Sequence, residues 1–239
     1  SIVRILRSKF ESVRFAVPNM AKSAATLLAF SGDELLMDHR SELGPVDPQV
    51  EYMSIDGPKR EAAADILAGF KQAKDVLAKE GPAATPAYVP LLSKYTIGLL
   101  RGCENAQRLS KILARTWLQE YMFAKSPRSG RPRKIVTFFA NRARTLSHKR
   151  GIGIDECIRL GLKVVDLRHP QNQGLGRKLW ELWCVYELHF ERTAVHKIYE
   201  NSSGCILQKQ VVQISLTPRP APSPAGPPSA SGETAGRQR

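Results

Sequence analysis

The chain has 239 residues, of which 42% are hydrophobic, enough for one α/β domain with a full core, whereas two small domains fit less well. Its formal charge of +14 predicts attraction to anionic partners, either nucleic acid or an acidic membrane surface. No apolar run approaches the roughly 20 residues of a membrane-spanning helix, and no signal-peptide pattern is visible, which predicts a cytoplasmic protein, peripheral at a membrane at most. The four cysteines form no Cys-x-x-Cys pair, which favours free buried thiols in a reducing compartment over a metal site or a disulfide framework.

The first elements are short and follow one another closely. Residues 1–10 predict an amphipathic helix with basic side chains on its outer face. Alternating apolar residues over 13–17, bounded by Pro18, predict a short buried strand. After a predicted turn, small and then apolar residues over 23–31 predict a buried helix that ends at Gly32.

Ser23 lies at the start of that helix, directly after the strand and the turn. Its hydroxyl could cap the helix by accepting a hydrogen bond from a free backbone N–H. It could instead be a nucleophile, held where free amides and the helix dipole favour developing negative charge. Position alone favours the cap, because capping residues far outnumber nucleophiles.

The sequence around Ser23 favours the second role. The segments MAKSAATL (20–27), GDELLM (32–37) and SELGPVDPQ (41–49) resemble the serine dehydrogenase proteinase family, which belongs to the ClpP/crotonase superfamily and is related to signal peptide peptidases. The resemblance is specific in these segments and continues weakly to about Phe190. Ala24-Ala25 stands where many members carry Gly-Gly.

The resemblance implies an α/β fold, a ClpP/crotonase-like domain over residues 1–216 with additional C-terminal helices. Residues 217–239 are rich in Pro, Ala and Ser, which predicts a disordered tail. In the family, preceding strands carry a Pro-Gly-Gly loop that contributes to the oxyanion hole, so we expect this domain to lack its first strands. The alternative is a natural compact variant, in which the strand over 13–17 would be an unprotected edge.

The implied chemistry is hydrolysis of peptide bonds through an acyl-enzyme on Ser23, with Ala24 in the oxyanion hole and no metal or cofactor. A serine hydroxyl needs a neighbouring base near pH 7. In Clp proteases this base is a His, but the corresponding stretch 41–50 contains none, and His39 precedes it. Signal peptide peptidases use a desolvated Lys instead.

Two lysines are candidates for this base. Lys59 is the first choice, because it comes at a predicted helix start soon after the Leu-Gly-Pro loop, as the base does in those relatives. Lys111, on a predicted long helix, is the second. Each is more typical of a solvated surface lysine than of a base.

The remaining elements are predicted from periodicity and breakers. Asp56-Gly57-Pro58 predicts a turn, and a basic loop over 125–134 could contact phosphate, although the lack of interleaved aromatic residues favours a solvated loop. His148 could be catalytic but is more typical of a surface or structural histidine. The segment IDECIRLGLKVVDL (154–167) strengthens the family resemblance, with Asp155 predicted as a helix cap. The predicted helices are Lys59–Lys79, Ile97–Phe123, Val136–Leu146, Glu156–Leu160 and Leu175–Ile198, and the predicted later strands are Leu162–Leu167 and Ile206–Leu216.

The sequence also predicts partners. The main prediction is a peptidase that acts on a polypeptide substrate. The peptidase itself is predicted to form a homo-oligomer. One helix face supplies the apolar surface for that assembly: Trp180, Trp183, Tyr186 and Phe190. The competing class is an inactive pseudoenzyme that acts as a basic scaffold and binds nucleic acid or an anionic surface weakly and without sequence specificity.

Overall fold

The computed structural model of the chain describes residues 2–54, 57–126, 129–141, 147 and 149–211, and it has a mixed α/β architecture. The chain forms two compact units, residues 1–187 and 188–239, the second described as far as residue 211. The helices are α1 (Ile2–Lys9), α2 (Ala24–Phe30), α3 (Ala63–Glu80), α4 (Thr85–Leu92), α5 (Ile97–Trp117), α6 (Arg131–Phe139), α7 (Ile154–Leu160) and α8 (Gln173–Arg192). The strands are β1 (Arg14–Val17), β2 (Met20–Ala21), β3 (Glu34–Met37), β4 (Glu42–Leu43), β5 (Gln49–Ser54), β6 (Gly57–Ala62), β7 (Ile152–Gly153), β8 (Val164–Asp166), β9 (Val195–Glu200) and β10 (Ile206–Gln210).

Two small three-stranded sheets organise the first unit. In one, here called the parallel sheet, β3 lies between β1 and β8, and all three strands are parallel. In the other, here called the short sheet, β4 lies between β2 and β7, parallel to β2 and antiparallel to β7. Consecutive strands therefore alternate between the sheets, because β1 and β3 join the parallel sheet while β2 and β4 join the short one.

The segment around Ser23 forms two strands, a helix and two further strands. The predicted strand over 13–17 and the predicted helix after Ser23 are confirmed as β1 and α2. The predicted turn before Ser23 is wrong in part, because Met20 and Ala21 form β2 by pairing with Glu42 and Leu43. That pairing joins residues about 20 positions apart, so local composition could not predict it.

The main core lies around α2 and the parallel sheet. Phe30 and Phe139 are fully buried and meet edge to face, with ring centroids 5.1 Å apart. α5 continues into a π-helical turn, Leu118–Met122, in agreement with the predicted long helix, and its Met122 is also fully buried. The other fully buried large side chains include Leu35, Met37, Leu43, Ile66, Leu118, Phe123, Ile135 and Ile152.

The predicted helix start at Lys59 is wrong. Residues Gly57–Ala62 form β6, which pairs antiparallel with β5 along its whole length, and the helix begins at Ala63. The polar stretch from Lys59 carries no apolar stripe of helical spacing until Ile66, so the backbone gains its hydrogen bonds in the hairpin instead. Of the predicted turn Asp56-Gly57-Pro58, Asp56 lies outside the described part of the chain, and Gly57 and Pro58 are the first residues of β6.

Three further boundaries differ from the sequence predictions. α6 begins at Arg131 within the predicted basic loop and ends at Phe139, and residues 142–146 of the predicted helix are not described. α8 ends at Arg192, and β9 begins at Val195, because Val195, Ile198 and Tyr199 favour a strand, which pairs with β10. The N-cap position of α7 is occupied by Gly153 rather than by the predicted Asp155. The helix stops at Gly161, as predicted, and this glycine adopts a left-handed conformation.

Two of the four cysteines are buried as predicted, Cys103 and Cys157, and burial raises the pKa of the Cys157 thiol to about 12. Cys184 is half-buried and Cys205 is exposed, and all four are free thiols. In the described part of the chain, every helix is too short or too polar to cross a membrane. The predicted tail and its boundary at residue 217 lie outside the described residues.

A polar contact joins α1 to the segment between α2 and β3. Arg7 Nη1 lies 2.8 Å from Asp33 Oδ2, which also accepts a hydrogen bond of 2.7 Å from the backbone N–H of Val13. Arg7 also donates to the carbonyl of Ser31 at the end of α2. Burial raises the pKa of Asp33, the Val13 N–H and Arg7 lower it, and the net shift is downward.

This contact predicts a local contribution to acid sensitivity. A carboxyl whose pKa is lower in the folded chain than in the unfolded chain stabilises the fold above its ordinary pKa of about 4, and the stabilisation is lost as pH falls through the folded pKa. We therefore expect Asp33→Asn to be less stable than the wild type at pH 7, with the difference shrinking at pH 3. Urea unfolding at both pH values measures this. Asp75→Asn, in an exposed ion pair with Lys71, is the control and should show little difference at either pH.

Candidate active site around Ser23

Ser23 has a strained backbone. It lies between β2 and α2 with φ 54° and ψ −113°, and among the described residues no other non-glycine residue has a positive φ. Such conformations cost about 1–3 kcal/mol in a residue with a side chain and cluster at functional sites. A nucleophile on a sharp turn from strand to helix is a recurrent arrangement in serine hydrolases.

The Ser23 hydroxyl does not cap the helix. α2 begins at Ala24, and the Ser23 side chain makes no capping hydrogen bond to it, so the capping interpretation is wrong. The turn is closed by backbone groups instead, because Ala25 N–H donates to the carbonyl of Lys22 and Leu27 N–H donates to that of Ser23. The hydroxyl is half-buried and is not consumed in stabilising the helix end.

Thr26 fixes the turn from the helix side. Its side chain is fully buried, and its Oγ1 lies 2.6 Å from the carbonyl of Ala21 and 2.9 Å from that of Gly44, positions to which the hydroxyl can donate. The same oxygen accepts a hydrogen bond of 3.0 Å from the N–H of Gly44. Thr26 therefore joins the start of α2 both to the end of β2 and to the Leu-Gly-Pro loop.

Lys22 fixes the turn from the other side. Its Nζ donates to Glu42 Oε2 at 2.8 Å and to the backbone carbonyl of Lys149 at 2.8 Å. Sequence reasoning missed this residue and assigned it only to a turn. Two features of the sequence could have indicated its role. Lys22 directly precedes the candidate nucleophile, and an acidic residue, Glu42, lies in the Ser-Glu-Leu-Gly segment on which the family resemblance rests.

The two predicted bases lie apart from this arrangement. Lys59 is exposed on β6, and Lys111 is exposed on α5. In the described residues, neither lysine shares a hydrogen bond or an ion pair with Ser23. Neither is desolvated, which a lysine base requires. Their assignment as bases, like that of Ala24 to the oxyanion hole, stays a prediction.

Lys59 does line a cavity. It is a cleft of about 460 Å³ between the β5–β6 hairpin and α3 and α4. Three tyrosines and two lysines contribute to its wall: Tyr52, Tyr88, Tyr95, Lys59 and Lys94. Burial, together with the adjacent Glu61, raises the pKa of Tyr52 to about 12, so its hydroxyl keeps its proton near neutral pH.

A second cavity, of about 420 Å³, lies at the carboxyl ends of β3 and β8. There Arg40 pairs with Asp38, and Arg168 pairs with both Asp166 and Asp155. Hydrogen bonds from Arg168 hold the pKa of Asp166 below its usual range. Sequence reasoning missed these pairs, although an Asp-x-Arg triplet begins directly after β3 and another at the last residue of β8, and the ends of parallel strands meet at one edge of a sheet. The arginines here are matched by carboxylates, so the cavity has little excess charge.

The aromatic face of α8 is only partly exposed. Trp180 and Trp183 stack with ring centroids 4.5 Å apart, and Arg40 lies 3.8 Å from the centre of the Trp180 ring. The more exposed apolar side chains of this part of α8 are Leu182 and Val185. The predicted assembly through the aromatic face therefore stays a prediction.

Histidines and metal ligands do not add to the site. His39 is exposed at the edge of the second cavity, and His148 lies outside the described residues. Among the residues that the structure describes, no three His, Cys, Asp or Glu side chains cluster closely enough to hold a metal ion.

Comparison with known proteins gives one partial match. A protein of Methanocaldococcus jannaschii described as "Uncharacterized protein MJ0137" is 32% identical to this chain over 125 residues. The match covers 50% of this chain and 42% of that protein, so the chain spans less than half of its relative's length. No protein-family model matches the chain, and no solved structure matches it.

Proposed function

We propose that this chain carries the nucleophile of a serine peptidase with a ClpP/crotonase-like fold. The observation that carries the proposal is the strained backbone of Ser23 at a strand-to-helix turn, with a hydroxyl that the helix end does not use. Strain of this kind persists only where the surrounding structure holds it, and it is commonly retained for function.

Two further observations support the proposal. The strands before and after α2 alternate between two small sheets, so the segment that carries Ser23 has the mixed α/β organisation that the proposed fold requires. The segments around Ser23 that resemble serine dehydrogenase proteinases also form its immediate surroundings, because the Leu-Gly-Pro loop binds Thr26 through Gly44.

The proposed reaction begins with attack of Ser23 Oγ on the carbonyl carbon of a peptide bond. A base takes the hydroxyl proton and passes it to the leaving amine as the C–N bond breaks, and water then hydrolyses the acyl-enzyme. The N–H of Ala24 is proposed to stabilise the oxyanion. Lys59 remains the first proposed base and Lys111 the second, and either would have to become desolvated when substrate is bound.

A serine-directed fluorophosphonate tests the proposal. Oγ of the reactive serine forms a bond to phosphorus, fluoride leaves, and the base takes the proton. We expect covalent labelling of the wild type at Ser23, identified by peptide mass spectrometry, and none in Ser23→Ala with an unchanged circular dichroism spectrum. Ser93→Ala, an exposed serine with an ordinary backbone conformation, is the matched control and should label like the wild type. Labelling that persists in Ser23→Ala would move the nucleophile elsewhere.

The alternative is a pseudoenzyme that serves as a basic scaffold. It is favoured by the exposure of both proposed bases and by the formal charge of +14. A wild type that the probe does not label, together with nucleic-acid binding that weakens steeply with salt, would support this function instead. The homo-oligomer and the cytoplasmic location stay predictions under either function.

A further inference from the structure

We propose that the ion pair of Lys22 and Glu42, here called the clamp, is a positioning device that holds Ser23 in its reactive backbone conformation. The inference rests on the proposed function of Ser23. It assigns a role to two residues that touch neither the substrate nor the reacting hydroxyl.

The clamp connects the end of β2 to β4, and Lys22 also reaches the segment that leads into β7. Lys22 follows β2 and directly precedes Ser23, Glu42 lies on β4, and Lys149 is three residues before β7. One ammonium group donates to Glu42 Oε2 and to the carbonyl of Lys149, both at 2.8 Å. The residue before Ser23 is therefore tied to β4 and to the segment before β7, in the sheet from which the turn departs.

Two glycines make room for the clamp. A Cβ atom added to Gly44 would lie 2.8 Å from Cβ of Lys22, and one added to Gly151 would lie 2.3 Å from Oε2 of Glu42. Real Cβ atoms do not approach so closely, so any side chain at either position would displace one partner. Lys22 and Glu42 thus each lie directly against a glycine backbone, which restricts where the ion pair can be.

The strain at Ser23 explains why such a device is needed. An unfavourable φ of 54° relaxes unless the residues on both sides are held. On the helix side, the buried Thr26 binds Ala21 and Gly44. On the strand side, Glu42 and the carbonyl of Lys149 hold Lys22. The side chain of Ser23 makes no capping bond that could hold the turn instead.

The clamp gives Lys22 a positioning role rather than a catalytic one. Its Nζ is engaged by the Glu42 carboxylate and by the carbonyl of Lys149, and no hydrogen bond joins it to the Ser23 hydroxyl in the described part of the chain. The side chains of Lys22 and Glu42 are 21% and 45% exposed, and ion pairs at this exposure contribute little to global stability. Its loss should therefore affect the reactivity of Ser23 much more than the folding of the chain.

The test compares Lys22→Met, Glu42→Gln and the double variant with the wild type. We expect each single variant to lower the rate constant of fluorophosphonate labelling at Ser23 about 10- to 100-fold, as a small misplacement of a reacting group does. The double variant should lose little more than either single variant, because both remove one interaction. The urea midpoint should change little. Lys71→Met breaks an exposed ion pair on α3 and is the control, with an unchanged labelling rate.

Amide hydrogen exchange gives a second measurement that does not depend on catalysis. We expect faster exchange over residues 23–27 in Lys22→Met and Glu42→Gln, but not in Lys71→Met. If the clamp variants exchange faster but the probe never labels the wild type, the positioning role of the clamp would be supported and the proposed function would be rejected. Unchanged exchange and wild-type labelling rates in both clamp variants would overturn the inference. A large decrease in the urea midpoint that accompanies the slower labelling would also overturn the inference, because it would show that the ion pair only stabilises the fold.

Discussion

Replacing Ser23 by glycine should abolish labelling at this position and raise the free energy of unfolding in the same variant. Glycine adopts a φ of 54° without the steric cost that a Cβ atom brings, which is about 1–3 kcal/mol at such positions. The greater flexibility of glycine in the unfolded chain offsets about 0.5–1 kcal/mol of this gain. A net gain of about 1 kcal/mol would raise the melting temperature by roughly 2–4 °C in a chain of this size.

Ser23→Ala separates the two effects. Alanine lacks the hydroxyl but keeps the Cβ atom, so labelling should be lost while the backbone strain remains. We therefore expect Ser23→Gly to be more stable than Ser23→Ala in thermal and urea unfolding. In ordinary helical or extended positions the order is reversed, because glycine destabilises relative to alanine. A glycine variant that is no more stable than the alanine variant would mean that Ser23 carries no strain.

This comparison bears on why the strain is kept. A stabilising substitution is available at this position, yet it removes the hydroxyl that the proposed reaction uses as its nucleophile. Trade-offs between stability and activity of this kind are typical of active sites. The surrounding contacts of Thr26 and Lys22 supply the constraint that the unfavourable conformation requires.

The position of Ser23 could be predicted from the sequence, but its conformation could not. Apolar alternation, a following run of small residues and Gly32 are local signals, and they correctly predicted β1 and α2. The turn predicted between these elements is only partly right, because Met20 and Ala21 form β2. The backbone angles of Ser23 depend on contacts from residues 20 to 130 positions away, such as Gly44 and the carbonyl of Lys149. No local pattern encodes those contacts.

The error at Lys59 has a similar cause. Its predicted role depended on a helix start, but Gly57–Ala62 pairs with β5 in a hairpin. Strand preference depends strongly on the partner strand, so a polar segment with weak helical periodicity is easily misassigned. The charged pairs at the ends of β3 and β8 were missed for the same reason, since the two Asp-x-Arg triplets are 128 positions apart and become neighbours only when the parallel sheet forms.

Phe139→Ala should destabilise the chain by about 3–5 kcal/mol, a large share of the stability of a typical domain. Phe139 is fully buried at the end of α6 and meets the equally buried Phe30 of α2 at a ring-centroid distance of 5.1 Å. Truncation removes the apolar surface of one ring and leaves a cavity beneath the helix that begins after Ser23. Thermal unfolding should show a decrease of roughly 6–20 °C.

Phe70→Ala is the matched control, because Phe70 is only half-buried and its nearest ring, that of Tyr95, is 6.5 Å away. Phe70→Ala should lower the free energy of unfolding clearly less than Phe139→Ala does, because water and neighbouring side chains can fill a partly open site. A cycle of Phe30→Ala, Phe139→Ala and the double variant should show a coupling of about 0.5–1.5 kcal/mol from the edge-to-face contact. Equal losses in Phe139→Ala and Phe70→Ala would contradict the assignment of this pair to the core. If the pair does support α2, Phe139→Ala should also slow the labelling of Ser23 at temperatures well below its own transition, because the helix that follows the nucleophile is no longer held firmly.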